Sequence, residues 1–323
     1  MRINNFFKTY KKRMFTTVLL LIATMGWMFT GAIYLEPIFG NKPPWAAYTF
    51  MIINSIIFVG CLWEIINLKK TLKWSLFFKI FIIITGLVVL WFPLGKEQFG
   101  PYLYNDKWFE AWMTLLLLIA VVISLLLISW KSKNLQIIDI IFIMMWILYL
   151  TFTFKAINFL MLSTVNYDNN ELGWPTLLLL LVIVIANDIG AFIGGVLYGH
   201  TKLAPHISPA KTWEGAISGL ITAMVLTMVL VTILLQTTNY YPLPFYEGKY
   251  GKAPIFLAYC AISFIFSIIS QMGDLLFSLC KRKHNVKDFS HIFPGHGGFL
   301  DRLDSLSAVV IAGWLLILLI TTH

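Results

Sequence analysis

Residues 174–197 read WPTLLLLLVIVIANDIGAFIGGVL. A helix that crosses a bilayer needs ~20 predominantly apolar residues. This run supplies them without a break and without the alternation of a half-buried strand. Eight further runs of the same character lie on either side of it: 14–35, 45–67, 72–94, 109–130, 135–154, 213–236, 253–280 and 303–321. Several contain Gly, Ser or Thr, which bundled spans tolerate. None alternates apolar and polar residues, which argues against an outer-membrane barrel.

The composition agrees. Of 323 residues 59% are hydrophobic, about 190 in all, and only 12% are charged. Soluble domains run at ~45–50% apolar and ~25% charged. A soluble enzyme, a disordered chain, a disulfide scaffold and a fibrous protein are all excluded. The expected fold class is all-α: a polytopic integral membrane protein with about nine transmembrane helices. The basic stretch Lys8–Arg13 followed by a long apolar run resembles a secretory signal. The run is too long for a signal core, and no small-residue cleavage site precedes Glu36-Pro37. It is therefore read as an uncleaved first span. Cys61, Cys260 and Cys280 are too few and too scattered for a disulfide framework or a cysteine metal site.

The net charge of +9 is a topology signal, not a sign of nucleic-acid binding. Nine spans put the termini on opposite sides. One side carries seventeen Lys and Arg, in 1–13, 68–73, 131–133, 198–212 and 281–302. The other carries six, among them Lys155, and Lys79 falls inside the third span. The basic side is expected to be cytoplasmic, so the N-terminus is cytoplasmic and the C-terminus is outside. No repeat or long linker divides the chain. Residues 1–173 hold about five spans with no recognised motif. Residues 174–323 hold the catalytic helices with cytoplasmic loops 198–212 and 281–302. The whole is treated as one integral domain.

An ionised side chain in a span costs at least ~2.5–3.5 kcal/mol on insertion scales and calls for a functional explanation. Glu64, Asp139, Asp188, Asp274 and Asp304 are so placed, with Glu214 and Asp301 at span mouths. Glu64 and Asp139 lie near span ends and are read as snorkelling, or as pairing with Lys69 or Lys131. Asp188 precedes Gly190, Gly194 and Gly195. It is read evenly as a site acid or as a polar link in a close helix contact. If the helices bearing Asp188, Asp274, Asp301 and Asp304 pack together, their carboxylates need cations between them, and Mg²⁺ suits oxygen ligands of this kind.

The richest segment is 273–305, GDLLFSLCKRKHNVKDFSHIFPGHGGFLDRLDS. Asp274 and Ser278 are four apart and share a helix face. Lys281, Arg282 and Lys283 follow at the helix exit. Pro294 to Gly298 break regular structure, and such a turn lets backbone N–H groups converge on an anion. Asp301, Arg302 and Asp304 open the last helix. Acids, bases and a Gly-rich turn at a membrane face make a phosphoryl- or nucleotidyl-transfer set. A lipid-binding basic flank would account for Lys281–Lys283. It would not account for the HGG-x-x-D-R-x-D pattern.

Ser278, Lys281, Arg282, Lys287, Asp288, Ser290, Pro294, His296, Gly297, Gly298, Asp301, Arg302 and Asp304 stand at the spacing of one known signature. In outline it is S-x-x-K-R-x4-K-D-x-[GSA]-x3-P-x-H-G-G-x-x-D-R-x-D. The sequence thus resembles the integral-membrane phosphatidate cytidylyltransferases (CDP-diacylglycerol synthases). A second block, Asn187 to Phe192 and Ser208 to Gly215, is similar to their N-D-x-G-A-[YF] and S-P-x-K-T-x-E-G elements. The resemblance is specific over about 186–305. Cys280 and Asn285 depart from the usual residues. Asn285 replaces a frequent glycine, and Asn tolerates a left-handed backbone.

The resemblance implies the reaction CTP + phosphatidate → CDP-diacylglycerol + pyrophosphate, with Mg²⁺ as cofactor and a homodimeric assembly. It implies a bacterial-type plasma membrane location, with phosphatidate entering from the inner leaflet of the lipid bilayer and CTP from the cytosol. Asp274 and Asp301 are expected to hold metal, with Asp304 as an auxiliary ligand. Lys281, Arg282, Lys287 and Arg302 are expected on substrate phosphates. Gly295, Gly297 and Gly298 would admit an oxyanion. His296 either donates to pyrophosphate or fixes the turn. Asp288, Ser208, Lys211 and Thr212 complete the expected substrate set, with Thr212 also a candidate cap for the helix at Trp213. Competing readings are a polyprenol kinase, an archaeal-type lipid cytidylyltransferase and, more remotely, a cation-coupled transporter.

Overall fold

Proline and glycine set the ends of the helix built from the quoted stretch. In a computed structural model it runs Trp174–Tyr198, with Pro175 in its first turn and Gly199 at its C-cap. Proline is tolerated there because the first N–H groups have no partner in the helix. The structure describes residues 2–35, 44–68, 75–91, 119, 122–123, 137–162, 166–167, 170–171, 173–237, 242–243, 251–293, 295 and 297–321.

Within these residues the elements are α1 (Arg2–Leu35), α2 (Pro44–Leu68), α3 (Leu76–Trp91), α4 (Ile137–Leu162), β1 (Asn166–Tyr167), β2 (Asn170–Glu171), α5 (Trp174–Tyr198), β3 (Lys202–Ala204), β4 (Ser208–Thr212), α6 (Trp213–Thr237), α7 (Lys252–Lys283) and α8 (Leu300–Thr321). Seven of the described helices are long and apolar enough to cross a membrane, and α3 is a shorter apolar helix. The chain is an all-α polytopic membrane protein. The expected span at 109–130 lies outside the described residues, apart from 119 and 122–123.

Two details differ from the sequence reading. Lys155, expected beyond the end of a span, is 2% exposed inside α4. The apolar residues Ile157, Phe159, Leu160 and Met161 carry that helix on to Leu162. The 198–212 segment, expected as a loop, folds as an antiparallel ribbon with Lys202 opposite Thr212 and Ala204 opposite Ser208. The backbone N–H of Ile207 closes its turn on Ala204 O at 3.2 Å.

The chain forms two units: Met1–Leu162 with Asp288–Asp301, and Ser163–Lys287 with Arg302–His323. In the first, a polar chain joins three helices. Trp27 Nε1 donates to Asn54 Oδ1 (2.8 Å), and Asn54 Nδ2 to Asn158 Oδ1 (2.6 Å). The 288–301 segment packs on these helices through Phe289, edge-on to Trp146 at 6.2 Å, and through Phe299 against Gly60.

In the second unit α5 and α6 meet through small residues. Gly190 faces Thr222, and Gly194 faces Ser218. A Cβ on Gly215 would lie 2.7 Å from Ala191 O, and one on Gly219 would lie 2.7 Å from Asn187 O. Only glycine allows this approach, the small-residue packing expected between spans. α7 runs three residues past the expected 280, to Lys283, and its end uses the left-handed backbone that Asn285 was expected to tolerate. Asn285 has φ 55°, its N–H bonds Arg282 O (3.0 Å), and the N–H of Val286 bonds Lys281 O (3.0 Å). This is a Schellman termination with Asn in the left-handed position.

Candidate active site

Five elements of the second unit, α5, β3, β4, α6 and α7, enclose a cleft of about 340 Å³. α5 contributes Asp188, β4 contributes Lys211, and α7 contributes Asp274. Lys211 Nζ lies 2.6 Å from Asp274 Oδ2. Ser278, one turn along α7, donates to Asp274 Oδ1 at 3.3 Å, as their spacing predicts. Asp274 is therefore held from two sides.

The cleft wall is fixed by amide side chains. Gln271 Nε2 on α7 donates to Asn187 Oδ1 (2.8 Å) on α5 and to Ala216 O (3.0 Å) on α6. Asn187 Nδ2 in turn contacts Asp188 Oδ1 at 3.4 Å. Gln271 was not singled out in the sequence. Its only local signal is an amide in an apolar run, three residues before Asp274. The rest of the lining is largely apolar, with Ala191, Phe192, Val196 and Leu203.

Thr212 caps α6 as predicted: its Oγ1 accepts from Gly215 N at 3.2 Å. Glu214, in the first turn, accepts from the hydroxyl and N–H of Thr201 and ties β3 to α6. Ser208 is half-buried at the start of β4. Arg282 donates through Nε to Ile207 O (3.1 Å) and through a terminal nitrogen to Val286 O (3.4 Å), so it braces the ribbon against the end of α7. Lys281 is buried, while Lys287 and Arg302 are exposed. Asp304 Oδ1 accepts from Ser305 N at 2.8 Å.

The HGG segment belongs to the first unit and is organised by two acids. Asp301, 8% exposed, accepts through Oδ2 from Phe289 N (3.0 Å) and Gly298 N (2.9 Å). The turn closes between Phe293 N and Gly297 O at 2.9 Å, with Gly297 at φ 75°, a conformation that favours glycine. Asp288 is half-buried at the head of the segment. Pro294 and His296 lie outside the described residues.

The second acid is Glu64, whose snorkelling reading the structure corrects. It is 2% exposed and accepts from Ser290 Oγ (2.6 Å), Phe299 N (2.8 Å) and Leu300 N (2.9 Å). The unpaired N–H groups at the start of a helix offer a buried carboxylate the donors that water would otherwise supply. Asp139 is also buried, in the first turn of α4, where a carboxylate meets the positive end of the helix dipole.

Among the described residues no group of three or more His, Cys, Asp or Glu side chains is arranged to hold a metal ion by itself. The two carboxylates on the cleft still fit Mg²⁺, which commonly takes one or two carboxylates and completes its shell with water and phosphate. The Lys211 ammonium already partners Asp274, so that carboxylate stands where a cation is favoured.

The chain is similar to several phosphatidate cytidylyltransferases. That of Haemophilus influenzae is 36% identical over 224 residues, covering 65% of this chain and 71% of the relative. That of Rickettsia typhi is 44% identical over 130 residues, covering 40% and 53%. That of Mycobacterium tuberculosis is 32% identical over 154 residues, covering 48% and 41%. The chain thus spans about half or less of the length of the latter two. Residues 11–320, nearly the whole sequence, match the cytidylyltransferase family. The chain therefore belongs to that family.

Proposed function

We propose that this protein transfers CMP from CTP to phosphatidate, giving CDP-diacylglycerol and pyrophosphate in membrane phospholipid synthesis. The observation that carries the reading is the Lys211–Asp274 pair beside Asp188, in a cleft whose wall also presents Ala191, Phe192, Val196 and Leu203. It puts charge for a phosphate next to a surface that tolerates acyl chains.

The nucleophile is an oxygen of the phosphatidate monoester. It attacks the α-phosphorus of CTP as the bond to the β-phosphate oxygen breaks, and pyrophosphate leaves with that electron pair. The monoester is anionic at neutral pH, so no side chain need remove a proton. The protein must instead bring two polyanions together and stabilise the leaving group. Lys211, Lys281, Arg282, Lys287 and Arg302 neutralise phosphate oxygens. Ser208, Thr212 and Asp288 orient the substrates and His296 donates to pyrophosphate, while the room left at Gly297 and Gly298, expected to admit an oxyanion, is taken by Asp301, Glu64 and Ser290. Asp274, Asp301 and Asp304 are the proposed Mg²⁺ ligands, and the cleft adds Asp188. Two backbone amides fix the orientation of Asp301, which suits a ligand. Mg²⁺, when bound, offsets charge on the triphosphate and polarises it.

The positive-inside count supports a cytoplasmic N-terminus and a site facing the cytoplasm. CTP then enters from the cytosol and phosphatidate sideways from the inner leaflet. The assembly we propose is a homodimer. Label tracing tests the reaction. With CTP labelled at the α-phosphate, label should enter the lipid. With CTP labelled at the γ-phosphate, label should leave in pyrophosphate. Transfer of γ-label to lipid would make the protein a kinase instead.

A further inference from the structure

We infer that Glu64 is a positioning residue of the active site, a clamp in α2 that fixes the HGG segment for catalysis. The inference rests on the cytidylyltransferase reading above. Glu64 lies far in sequence from every motif of the 186–305 region, and its surroundings carry no signature. Yet its two carboxylate oxygens take three donors from the segment: Oε1 from Ser290 Oγ and Phe299 N, Oε2 from Leu300 N.

The chemistry of these contacts separates a clamp from ordinary packing. All three partners donate, so the group acts only as an acceptor, the hydrogen-bonding behaviour of an ionised carboxylate. Phe299 and Leu300 stand at the start of α8, where N–H groups lack intrahelical partners. Glu64 thus supplies from another helix the cap that the local sequence does not. Asp301 takes the neighbouring donors, Gly298 N and Phe289 N. Two acids therefore divide the successive amides of Gly298, Phe299 and Leu300, and Asp301 also takes that of Phe289.

Gly298 shows how tightly the clamp is drawn. A Cβ there would run into Glu64 Oε1 and Ser290 Oγ. The glycine gives the carboxylate room to reach past residue 298 to the amides of 299 and 300. Glu64 touches neither substrate in this account. It acts by setting where Asp301 and the Gly297–Gly298 backbone stand.

Glu64→Gln keeps the size of the side chain but replaces one acceptor oxygen with a donor amide. It should lower kcat by about 100-fold, the loss that a displacement of roughly 1 Å near the chemistry can cause. Amide hydrogen exchange at Phe299 and Leu300 should accelerate while that of α4 stays unchanged. Ser290→Ala removes one donor without stranding a charge and should give a smaller loss in kcat. Combined with Glu64→Gln it should add less than its separate effect. Asn54→Ala, a buried polar change on the same helix, should lower thermal stability but leave kcat per folded molecule near wild type.

Wild-type kcat in folded Glu64→Gln, or unchanged exchange at Phe299 and Leu300, would overturn the inference. If Glu64→Gln does not fold, unchanged kcat in Ser290→Ala overturns it. Failure of the wild-type protein to make CDP-diacylglycerol would bring down the functional reading and this inference together. Active wild type with unaffected variants would bring down only the clamp.

Discussion

Thr212 does the work of a helix cap at the point where a ribbon strand becomes a span. Its hydroxyl accepts from Gly215 N, and it is 5% exposed. Thr212→Ala should cost about 1 kcal/mol, the usual loss for a removed cap, and Thr212→Ser should restore most of it. Thermal unfolding in detergent measures both. Such local relations are readable in sequence because both partners lie within one turn. The Asp274–Ser278 contact and the left-handed Asn285 belong to the same group. Lys211 and Glu64 do not. Lys211 reaches Asp274 from another element, and Glu64 bonds Ser290 across 226 positions. An acid placed at a cost inside a span announces that it has a partner. Which partner it has is decided by tertiary packing.

Hydropathy locates the helices well, since each must satisfy its backbone internally and present apolar side chains to lipid. It locates their ends less well. α4 continues past Lys155, because packing in the bundle buries a lysine that a loop would otherwise have carried. The β3–β4 ribbon was hidden for a related reason: its pairing is short and its sequence carries no alternation to reveal it. The glycines of α5 were legible as a small-residue face, and the structure sets them against α6, where Gly215 and Gly219 complete the close contact. Gly219→Ala should destabilise by roughly 1–3 kcal/mol, the cost of overpacking. It should also reduce turnover, since Asn187, which its Cβ would strike, is the acceptor for Gln271 at the cleft. Gly26→Ala, where a Cβ meets nothing within 4 Å, should be neutral or slightly stabilising, as alanine is the better helix former. Thermal unfolding and specific activity of the two variants, measured side by side, check both expectations.

At the scale of the molecule, the chain is discontinuous in its units. The 288–301 segment groups with the N-terminal helices, while the residues on both sides of it group with the helices around the cleft. No composition shift or linker marks those crossings, because they fall inside a single run of motif residues. The class of the protein and its chemistry were legible. Apolar length requires a bilayer, and a dense run of acids, bases and glycines is the residue set that phosphate transfer uses. Our proposal places Asp274, held by Lys211 and Ser278, in a magnesium-dependent site for CMP transfer. It is tested most directly by pyrophosphate release from CTP and phosphatidate across a Mg²⁺ titration, for the wild type and for Asp274→Asn. The wild type should require both phosphatidate and Mg²⁺ and lose activity reversibly on chelation. Asp274→Asn, folded and inserted, should fall by at least about 1000-fold, in line with the loss of a group that stabilises transferring phosphate. Near-normal release by Asp274→Asn, or release by the wild type without Mg²⁺, would contradict the account.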